Sequence, residues 1–216
     1  MKFFFSAWPA QSKTALVTAV VFLGATCLFL LFWRGFTEPD EGRYAEIPRE
    51  MNETGNWLEM RLLGYRYYEK PPMAYWIVAP SIKIFGAHDW AARIPLLPAA
   101  LALFALFWRR LKRFWPAKTA AVSFMLSLST VGVISSACLL LTDAFLAVFF
   151  AATSLWLFDA FLSDVPPRKR LFLTLAAALA ASAGFLTKGA IALVLPAGIL
   201  LLWLLWEKRA KTIFSW

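Results

Sequence analysis

Two pairs of adjacent charged residues and one isolated aspartate are the residues of this sequence best suited to chemistry. Asp40 and Glu41 follow a long apolar run, Glu69 and Lys70 precede two prolines, and Asp143 lies between two further apolar runs. A carboxylate at the edge of a membrane span is costly unless it is solvated, paired or functional. Carboxylates can orient or deprotonate a hydroxyl group, and cationic side chains can hold a phosphate. These residue types therefore predict a mixed-charge site at a membrane surface.

Each of these features also has a structural interpretation. Asp40 is suited to cap a short helix and to pair with Arg43, and Asp143 is suited to cap the helix that follows it. The Glu-Lys pair fits an ordinary joint between a loop and a helix with an N-terminal proline. A lysine that extends toward the membrane surface explains Lys188 slightly better than chemistry does. The sequence leaves these alternatives open.

The composition requires a membrane environment for the elements that carry these residues. Of the 216 residues, 61% are hydrophobic and 16% are charged, and the mean hydropathy is +0.64. A soluble domain of this size has no core large enough to cover so much apolar surface. The 17% aromatic content excludes an intrinsically disordered chain, and two cysteines are too few for a disulfide-stapled secreted domain.

Hydropathy and length predict an all-α integral membrane protein with about six transmembrane helices, each of about 20 residues. A shorter apolar stretch at 72–86 contains Pro80 and Lys83, and we expect it to lie at the membrane interface. The predicted spans are 14–33, 90–108, 119–141, 144–162, 171–187 and 189–206.

The distribution of Lys and Arg predicts the orientation of these spans, because basic residues accumulate in short cytoplasmic loops. With six spans, thirteen basic and three acidic residues lie on one side, which is then the cytoplasm, and nine basic and ten acidic residues lie on the other. The net charge of +9 is therefore mostly a topology signal, and no nucleic acid partner is expected. We expect a multi-pass membrane protein with both ends of the chain in the cytoplasm.

One long loop, residues 34–89, is expected on the external side of the membrane, and it holds nine of the thirteen carboxylates. A structureless loop of this length is uncommon unless it is functional. After Asp40, the spacing of Tyr44, Ile47 and Met51 predicts a short surface helix with one apolar face. An extended aromatic segment follows at 64–72.

A mixed-charge site level with lipid headgroups suits a lipid-linked phosphate substrate, and a polyprenyl-phosphate sugar is the natural candidate. A transporter or flippase is the main alternative, but transporters usually place ionisable residues near the middle of the bilayer, where these spans carry almost none. A noncatalytic membrane scaffold is the third alternative.

Several segments resemble a known family, and the resemblance extends over nearly the whole chain. The segments are 40–51, 68–72, Tyr75-Trp76, 92–95 and 141–143. They are similar to the N-terminal part of the bacterial transferases that move 4-amino-4-deoxy-L-arabinose from undecaprenyl phosphate to lipid A. Those enzymes belong with the protein O-mannosyltransferase-like enzymes of the GT-C fold.

The resemblance implies an inverting glycosyltransferase, with a polyprenyl-phosphate-linked sugar as donor and lipid A or another glycan or protein as acceptor. It also implies a place in the bacterial inner membrane with the loop 34–89 facing the periplasm, a divalent metal, zinc, and no nucleotide cofactor. The single histidine, His88, does not lie where the family places a metal ligand. The implied residues are Asp40, Asp143 and Glu41 for catalysis, Lys70, Arg43 and Tyr44 for binding of the lipid phosphate, and Glu69 for binding of the metal.

The family also sets an expectation for the domain organisation. Its members continue past the equivalent of residue 216 with further spans and a C-terminal periplasmic domain, which carries the histidine that completes the metal site. Residues 1–216 are therefore expected to be the N-terminal part of a GT-C transmembrane domain, from a fragment or a truncated reading frame, with an incomplete metal site.

Overall fold

The computed structural model describes residues 21, 24–26, 28–37, 39–162 and 165–209. Residues 24–26 and 28–32 are helical and belong to the first predicted span, 14–33, most of which lies outside the described residues. The basic residues Lys2, Lys13 and Lys211, which contributed to the predicted orientation, also lie outside them.

In the described residues from 39 onward, the regular secondary structure is helical apart from one short hairpin. The helices are α1 (Asp40–Thr54), α2 (Met73–Phe85), α3 (Asp89–Arg93), α4 (Leu96–Phe114), α5 (Ala117–Leu128), α6 (Val131–Cys138), α7 (Thr142–Ala160), α8 (Pro167–Lys188) and α9 (Ile191–Trp206), and the strands are β1 (Arg61–Leu62) and β2 (Tyr65–Arg66).

The prediction of an all-α integral membrane protein is confirmed. Among the described residues, three helical segments are long and apolar enough to cross a membrane: α3 with α4, α7, and α8. The pair α5 and α6 makes a fourth if it is counted as one bent span, and α9 is apolar but has only 16 residues. The total of six spans stays a prediction.

The prediction of one continuous helix at 119–141 is wrong. The chain bends by 63° between α5 and α6, and α6 ends at Cys138. Three hydroxyl groups around the bend donate to nearby backbone carbonyls: Ser127 to Ser123, Ser129 to Leu126 and Thr130 to Ser127, each at 2.8 Å. Such side-chain hydrogen bonds compete with the helical ladder and favour a bend.

Helix α1 forms where the sequence predicts a surface helix, and its predicted apolar face is buried. Tyr44, Ile47 and Met51 pack against α2, where Tyr75 and Val78 are almost fully buried. The helix ends at Gly55, whose φ of +69° is a left-handed conformation that glycine adopts at low cost. Helices α1 and α2 therefore form one layer at the end of the molecule that carries the loop 34–89, which we call the loop end.

The hairpin returns the chain from α1 to α2. Strands β1 and β2 are antiparallel, and Arg61 lies opposite Arg66. Both carboxylate oxygens of the buried Glu50 accept from the backbone N–H of Gly64, at 3.2 Å. The hairpin is thus fixed to α1, and it delivers residues 67–72 to the start of α2.

Helix α7 is the centre of the membrane bundle, because α4, α8 and α9 all pack against it. At the end far from the loop, Asp159 of α7 accepts from Arg110 at 3.0 Å and from Arg113 at 2.7 Å. These ion pairs join α4 to α7. The candidate site lies at the opposite end of α7, where the helix begins at Thr142.

Gly184 allows α8 to approach its neighbours closely. A Cβ at this position would lie 2.9 Å from the Cβ of Ala192. We expect Gly184→Ala to destabilise the protein by about 1 to 3 kcal/mol, since overpacking a tight contact forces the helices apart. Gly198→Ala in α9 is the matched control, because no atom lies within 4 Å of its added Cβ. Unfolding followed in detergent micelles tests this, and equal stability of the two variants would contradict it.

Candidate active site

A buried ion pair between Glu41 and Arg93 holds the first turn of α1. The two side chains are 1% and 0% exposed, and the guanidinium donates to both carboxylate oxygens, from Nε at 3.0 Å and from Nη2 at 3.2 Å. Arg93 also donates to the backbone carbonyls of Arg34, at 2.6 Å, and Gly35, at 2.9 Å. The buried cation is therefore matched by a carboxylate and by carbonyl oxygens, as burial requires.

Glu41 receives further hydrogen bonds from other parts of the chain. Arg34 Nη1 lies 2.7 Å from its carboxylate, and the backbone N–H groups of Leu140 and Thr37 donate to it at 2.8 Å. Burial raises the pKa of the Glu41 carboxyl, but the hydrogen bonds from Arg34, Arg93, Leu140 and Thr37 outweigh it and lower the pKa to about 2. The carboxylate therefore stays ionised and joins α1, α3 and the residues before α7.

This environment separates Glu41 from the other predicted catalytic residues. Its carboxylate faces the interior and is fully engaged with Arg93 and the backbone. Asp40, the next residue in the chain, points to the exposed surface instead. The contacts of Glu41 are those of a residue that positions the helix carrying Asp40.

An exposed strip of alternating charges follows the outer side of α1. Arg43 pairs with Asp40, and its Nη1 lies 2.9 Å from Oε2 of Glu69. The other carboxylate oxygen of Glu69 lies 3.4 Å from Nζ of Lys70. The side chains of Asp40 and Glu69 are 46% and 50% exposed, so a ligand can reach this strip.

The guanidinium group of Arg43 lies over the ring of Tyr44. The guanidinium carbon lies 5.5 Å from the centre of the Tyr44 ring, and that ring lies 6.1 Å from the ring of Tyr75. Tyr75 in turn contacts the ring of Tyr67 edge-on at 6.1 Å. Burial raises the pKa of Tyr44, and the charge of Asp40 raises it further, so the phenol keeps its proton at neutral pH.

Asp143 lies in the first turn of α7, and its carboxylate pairs with Lys188, the last residue of α8. The positive charge of Lys188 also acts on Tyr44, where it lowers the pKa and so opposes the effect of burial. The hydrogen bond from Leu140 to Glu41 holds the start of α7 beside α1. The structure thus brings the turn of Asp143 to the same end of the bundle as Asp40, where the predicted topology puts it.

We call these six side chains the charged rim. It contains three carboxylates and three cations, so its formal charges cancel. Cations in such a cluster can hold phosphate oxygens, and carboxylates can orient a sugar or accept a proton. The members of the charged rim are Asp40, Arg43, Glu69, Lys70, Asp143 and Lys188.

The interpretation of Asp40 and Asp143 as helix caps is wrong. Neither α1 nor α7 has a side-chain hydrogen bond that caps its start. Asp40 forms the predicted salt bridge with Arg43, and Asp143 pairs with Lys188 across the bundle. Both carboxylates therefore lie in the first turn of a helix, where negative charge is favourable, but pair with cations and do not cap the helix.

The described residues do not by themselves complete a metal site, and the metal that the family implies stays a prediction. No group of three or more His, Cys, Asp or Glu side chains is close enough to hold one in the described part of the chain. Glu69, the predicted metal ligand, is paired with Arg43 and Lys70. The ring of His88 stacks on Trp90 at 5.7 Å. We therefore derive no chemical step through a metal.

Sequence reasoning missed the roles of Arg93 and Lys188. Arg93 lies within the predicted span 90–108 and the segment 92–95, and no partner is predicted for it, although an arginine next to an apolar segment signals a buried partner. Lys188 was assigned to a helix end that extends toward the membrane surface, but its amine pairs with Asp143. The predicted topology is the signal that could have indicated this pair, because it places the turns that contain Asp143 and Lys188 on the same side of the membrane.

The ion pair predicts a large loss of stability when one partner is removed. We expect Arg93→Met to destabilise the protein by about 3 to 5 kcal/mol, because Glu41 is left as a buried charge without its main partner. Arg49→Met is the matched control, since Arg49 pairs with Glu46 and Glu53 on the surface of α1, the helix that carries Glu41. We expect it to cost less than about 1 kcal/mol. Similar unfolding midpoints for the two variants would contradict this assignment.

The lowered pKa of Glu41 predicts a dependence of stability on pH. A carboxyl with a lowered folded-state pKa contributes stability above its unfolded pKa, near 4.5, and loses it as the pH falls toward about 2. The difference in unfolding free energy between the wild type and Glu41→Gln should therefore be constant from pH 7 to pH 5. It should shrink below pH 4.5, and a difference that grows on acidification would contradict the account.

The chain is similar to known proteins in sequence and in fold. The family profile described as dolichyl-phosphate-mannose-protein mannosyltransferase matches residues 12–216. A relative named undecaprenyl phosphate-alpha-4-amino-4-deoxy-L-arabinose arabinosyl transferase, from Enterobacter sp. (strain 638), is 36% identical over 213 residues, covering 93% of this chain and 37% of the relative. A relative named undecaprenyl phosphate-alpha-4-amino-4-deoxy-L-arabinose arabinosyl transferase 2, from Sodalis glossinidius (strain morsitans), is 33% identical over 202 residues. The match covers 89% of this chain and 36% of the relative.

The fold is similar to that of ArnT from Cupriavidus metallidurans. Its crystal structure in the apo state has a TM-score of 0.79 at 26% identity, covering 94% of this chain and 39% of ArnT. Its structure bound to undecaprenyl phosphate has the same TM-score at 27% identity, covering 89% and 36%. The chain thus spans little more than a third of the length of these proteins. The extent of the profile match shows that the chain belongs to the dolichyl-phosphate-mannose-protein mannosyltransferase family.

Proposed function

We propose that this chain carries the donor-binding part of a membrane glycosyltransferase. The enzyme transfers a sugar, aminoarabinose or another pentose or hexose, from a polyprenyl-phosphate donor to lipid A or another periplasmic acceptor. The observation that carries the proposal is the charged rim, in which three carboxylates and three cations meet at one end of an apolar helix bundle. The names of the relatives, and the undecaprenyl phosphate bound by ArnT, support this substrate class.

The distribution of charge supports a periplasmic site in the bacterial inner membrane. The end of the bundle far from the charged rim carries the basic residues that end α4 and begin α8, at 109–113 and 168–170. Lys and Arg are enriched on the cytoplasmic side of membrane proteins. The charged rim then faces the periplasm, level with the outer leaflet headgroups.

An apolar cavity that reaches the first turn of α7 fits the lipid part of the donor. It has a volume of about 310 Å³ and lies between α4, α6 and α7. Leu96, Leu103, Val133 and Ala144 are among its lining residues, and Ala144 follows Asp143 directly in the chain. A lipid whose phosphate lies at the charged rim can place the first part of its isoprenoid chain here.

The reaction is a displacement at the anomeric carbon of the sugar. The acceptor oxygen forms a new bond to this carbon from the side opposite the phosphate, the bond to the phosphate oxygen breaks with its electron pair, and the configuration inverts. The polyprenyl phosphate leaves with additional negative charge, which Lys70 and Arg43 stabilise. Tyr44 lies beneath Arg43 and supports its position.

The role of the aspartates depends on the acceptor. A lipid A phosphate is already anionic and needs no base, so Asp40 and Asp143 orient the sugar and the acceptor. A hydroxyl acceptor loses its proton during the attack, and Asp40, which is exposed, then accepts it. Glu41 contributes by holding α1 in place.

We predict that Asp40→Asn and Asp143→Asn each lower the rate of sugar transfer by about 10²- to 10⁴-fold, the range for loss of a positioned acid or base. The assay measures transfer from undecaprenyl-phosphate aminoarabinose to lipid A in membranes that contain the chain, together with any coding sequence that continues it in frame. Glu53→Gln, an exposed carboxylate at the far end of α1, is the control and should keep full activity.

Undiminished transfer by both aspartate variants would contradict the catalytic assignment. Movement of a lipid or solute across vesicles without chemical change would instead favour a transporter or flippase. Binding of a protein partner without any turnover would favour a noncatalytic scaffold.

A further inference from the structure

The segment 109–118, at the end of the bundle far from the charged rim, carries a large excess of positive charge. It runs from the last two turns of α4 to the first turn of α5, and we call it the basic corner. It contains no carboxylate and five cations, which are Arg109, Arg110, Lys112, Arg113 and Lys118. The charged rim, in contrast, has as many carboxylates as cations.

The carboxylate of Asp159 compensates only part of this charge. One oxygen, Oδ1, accepts from both Arg110 and Arg113, at 3.0 Å and 2.7 Å. In the part of the chain that the structure describes, Arg109, Lys112 and Lys118 form no ion pair. Five cations against one carboxylate leave the basic corner with a formal charge of +4.

Aromatic rings hold cations of the basic corner at the surface of the bundle. Nζ of Lys112 lies 5.8 Å from the centre of the Trp108 ring, and the guanidinium carbon of Arg113 lies 5.7 Å from that of Phe114. Phe114 and Trp115 are 52% and 56% exposed. Tryptophan beside Lys and Arg is typical of the boundary between hydrocarbon and headgroups. We therefore expect the basic corner at the level of the lipid headgroups.

Helices α4 and α5 meet at the basic corner. The ring of Trp108, over which Lys112 lies, is 5.3 Å from the ring of Phe124 in α5. The face of α4 that carries Lys112 is therefore turned toward α5. Lys118 lies in the first turn of α5, where the helix dipole disfavours a cation, and that turn contains no acidic side chain. An anion at this junction relieves the repulsion between cations of the two helices.

We propose that the basic corner binds the headgroup of one anionic phospholipid, with the lipid phosphate among Arg109, Lys112 and Lys118. Topology explains why basic residues lie on this side of the membrane, but it requires neither their contacts with rings nor a cation at the start of α5. Each basic residue beside an anionic lipid surface contributes about a fivefold gain in affinity. This site goes beyond the proposed function and does not depend on the charged rim.

A lipid bound here stabilises the bundle. Arg110 and Arg113 join α4 to Asp159 of α7, and these two helices also line the apolar cavity. A phosphate beside Arg109 and Lys112 reduces the repulsion that the excess charge exerts on this junction. The protein is therefore more stable with an anionic lipid than with an uncharged one.

Native mass spectrometry of the chain, together with any coding sequence that continues it in frame, measures the dissociation constant of the first bound phosphatidylglycerol. We expect the double variant Arg109→Gln and Lys112→Gln to weaken this binding about 10- to 30-fold, because two cations are lost. The double variant Lys169→Gln and Lys208→Gln is the matched control, since it removes the same charge from the same end of the bundle. Its binding should stay within about twofold of the wild type, because charges outside the site are screened.

The unfolding midpoint in detergent micelles is the second readout. Phosphatidylglycerol should raise it in the wild type and in the control but not in the Arg109 and Lys112 double variant, and phosphatidylcholine should raise it in none of them. Arg109→Gln alone should weaken binding about fivefold if the double variant does not fold.

Three results would overturn the site. Equal weakening by the two double variants would show that the charge of the whole surface attracts the lipid. Equal binding of phosphatidylglycerol and phosphatidylcholine would remove the requirement for an anion. Binding of soluble glycerol phosphate as tight as that of phosphatidylglycerol would assign the basic corner to a free phosphate.

Discussion

The buried ion pair between Glu41 and Arg93 constrains the position of everything at the loop end of this protein. A fully buried arginine is tolerable only when its charge is matched, and Glu41 together with the carbonyls of Arg34 and Gly35 matches it. The same carboxylate accepts from the backbone of Leu140, which lies two residues before α7. One group of hydrogen bonds therefore sets the distance between the surface helix that carries Asp40 and the membrane helix that carries Asp143.

This arrangement separates structural charges from chemical ones. The charges that hold the elements together are buried and fully hydrogen-bonded. The charges of the rim are exposed and paired with one another, so they are available for exchange with a ligand. Exposed ion pairs contribute little to stability, and substituting them therefore affects binding more than folding. The adjacent residues Asp40 and Glu41 illustrate the division, since one faces outward and the other inward.

The spacing of apolar residues and the hydropathy of the sequence predicted the helices that depend on these local properties. The spacing of Tyr44, Ile47 and Met51 identified α1 and its buried face, and hydropathy identified α4, α7 and α8. Topology alone placed Asp40 and Asp143 on one side. The pairing of Glu41 with Arg93, 52 residues apart, has no local signature, because it depends on how α1 and α3 meet. The bend between α5 and α6 was also missed, because hydropathy does not register hydroxyl groups that bond to their own helix.

The central claim is that the charged rim binds the phosphate of a polyprenyl lipid. Solid-state NMR measures it directly, through ³¹P–¹⁵N distances between undecaprenyl phosphate and ¹⁵N-labelled lysine side chains in the membrane-embedded chain. The account predicts a contact of about 3 to 4 Å between the phosphorus and Nζ of Lys70, which disappears in Lys70→Gln. A phosphate that contacts only lysines at the opposite end of the bundle, such as Lys112 or Lys169, would contradict the account.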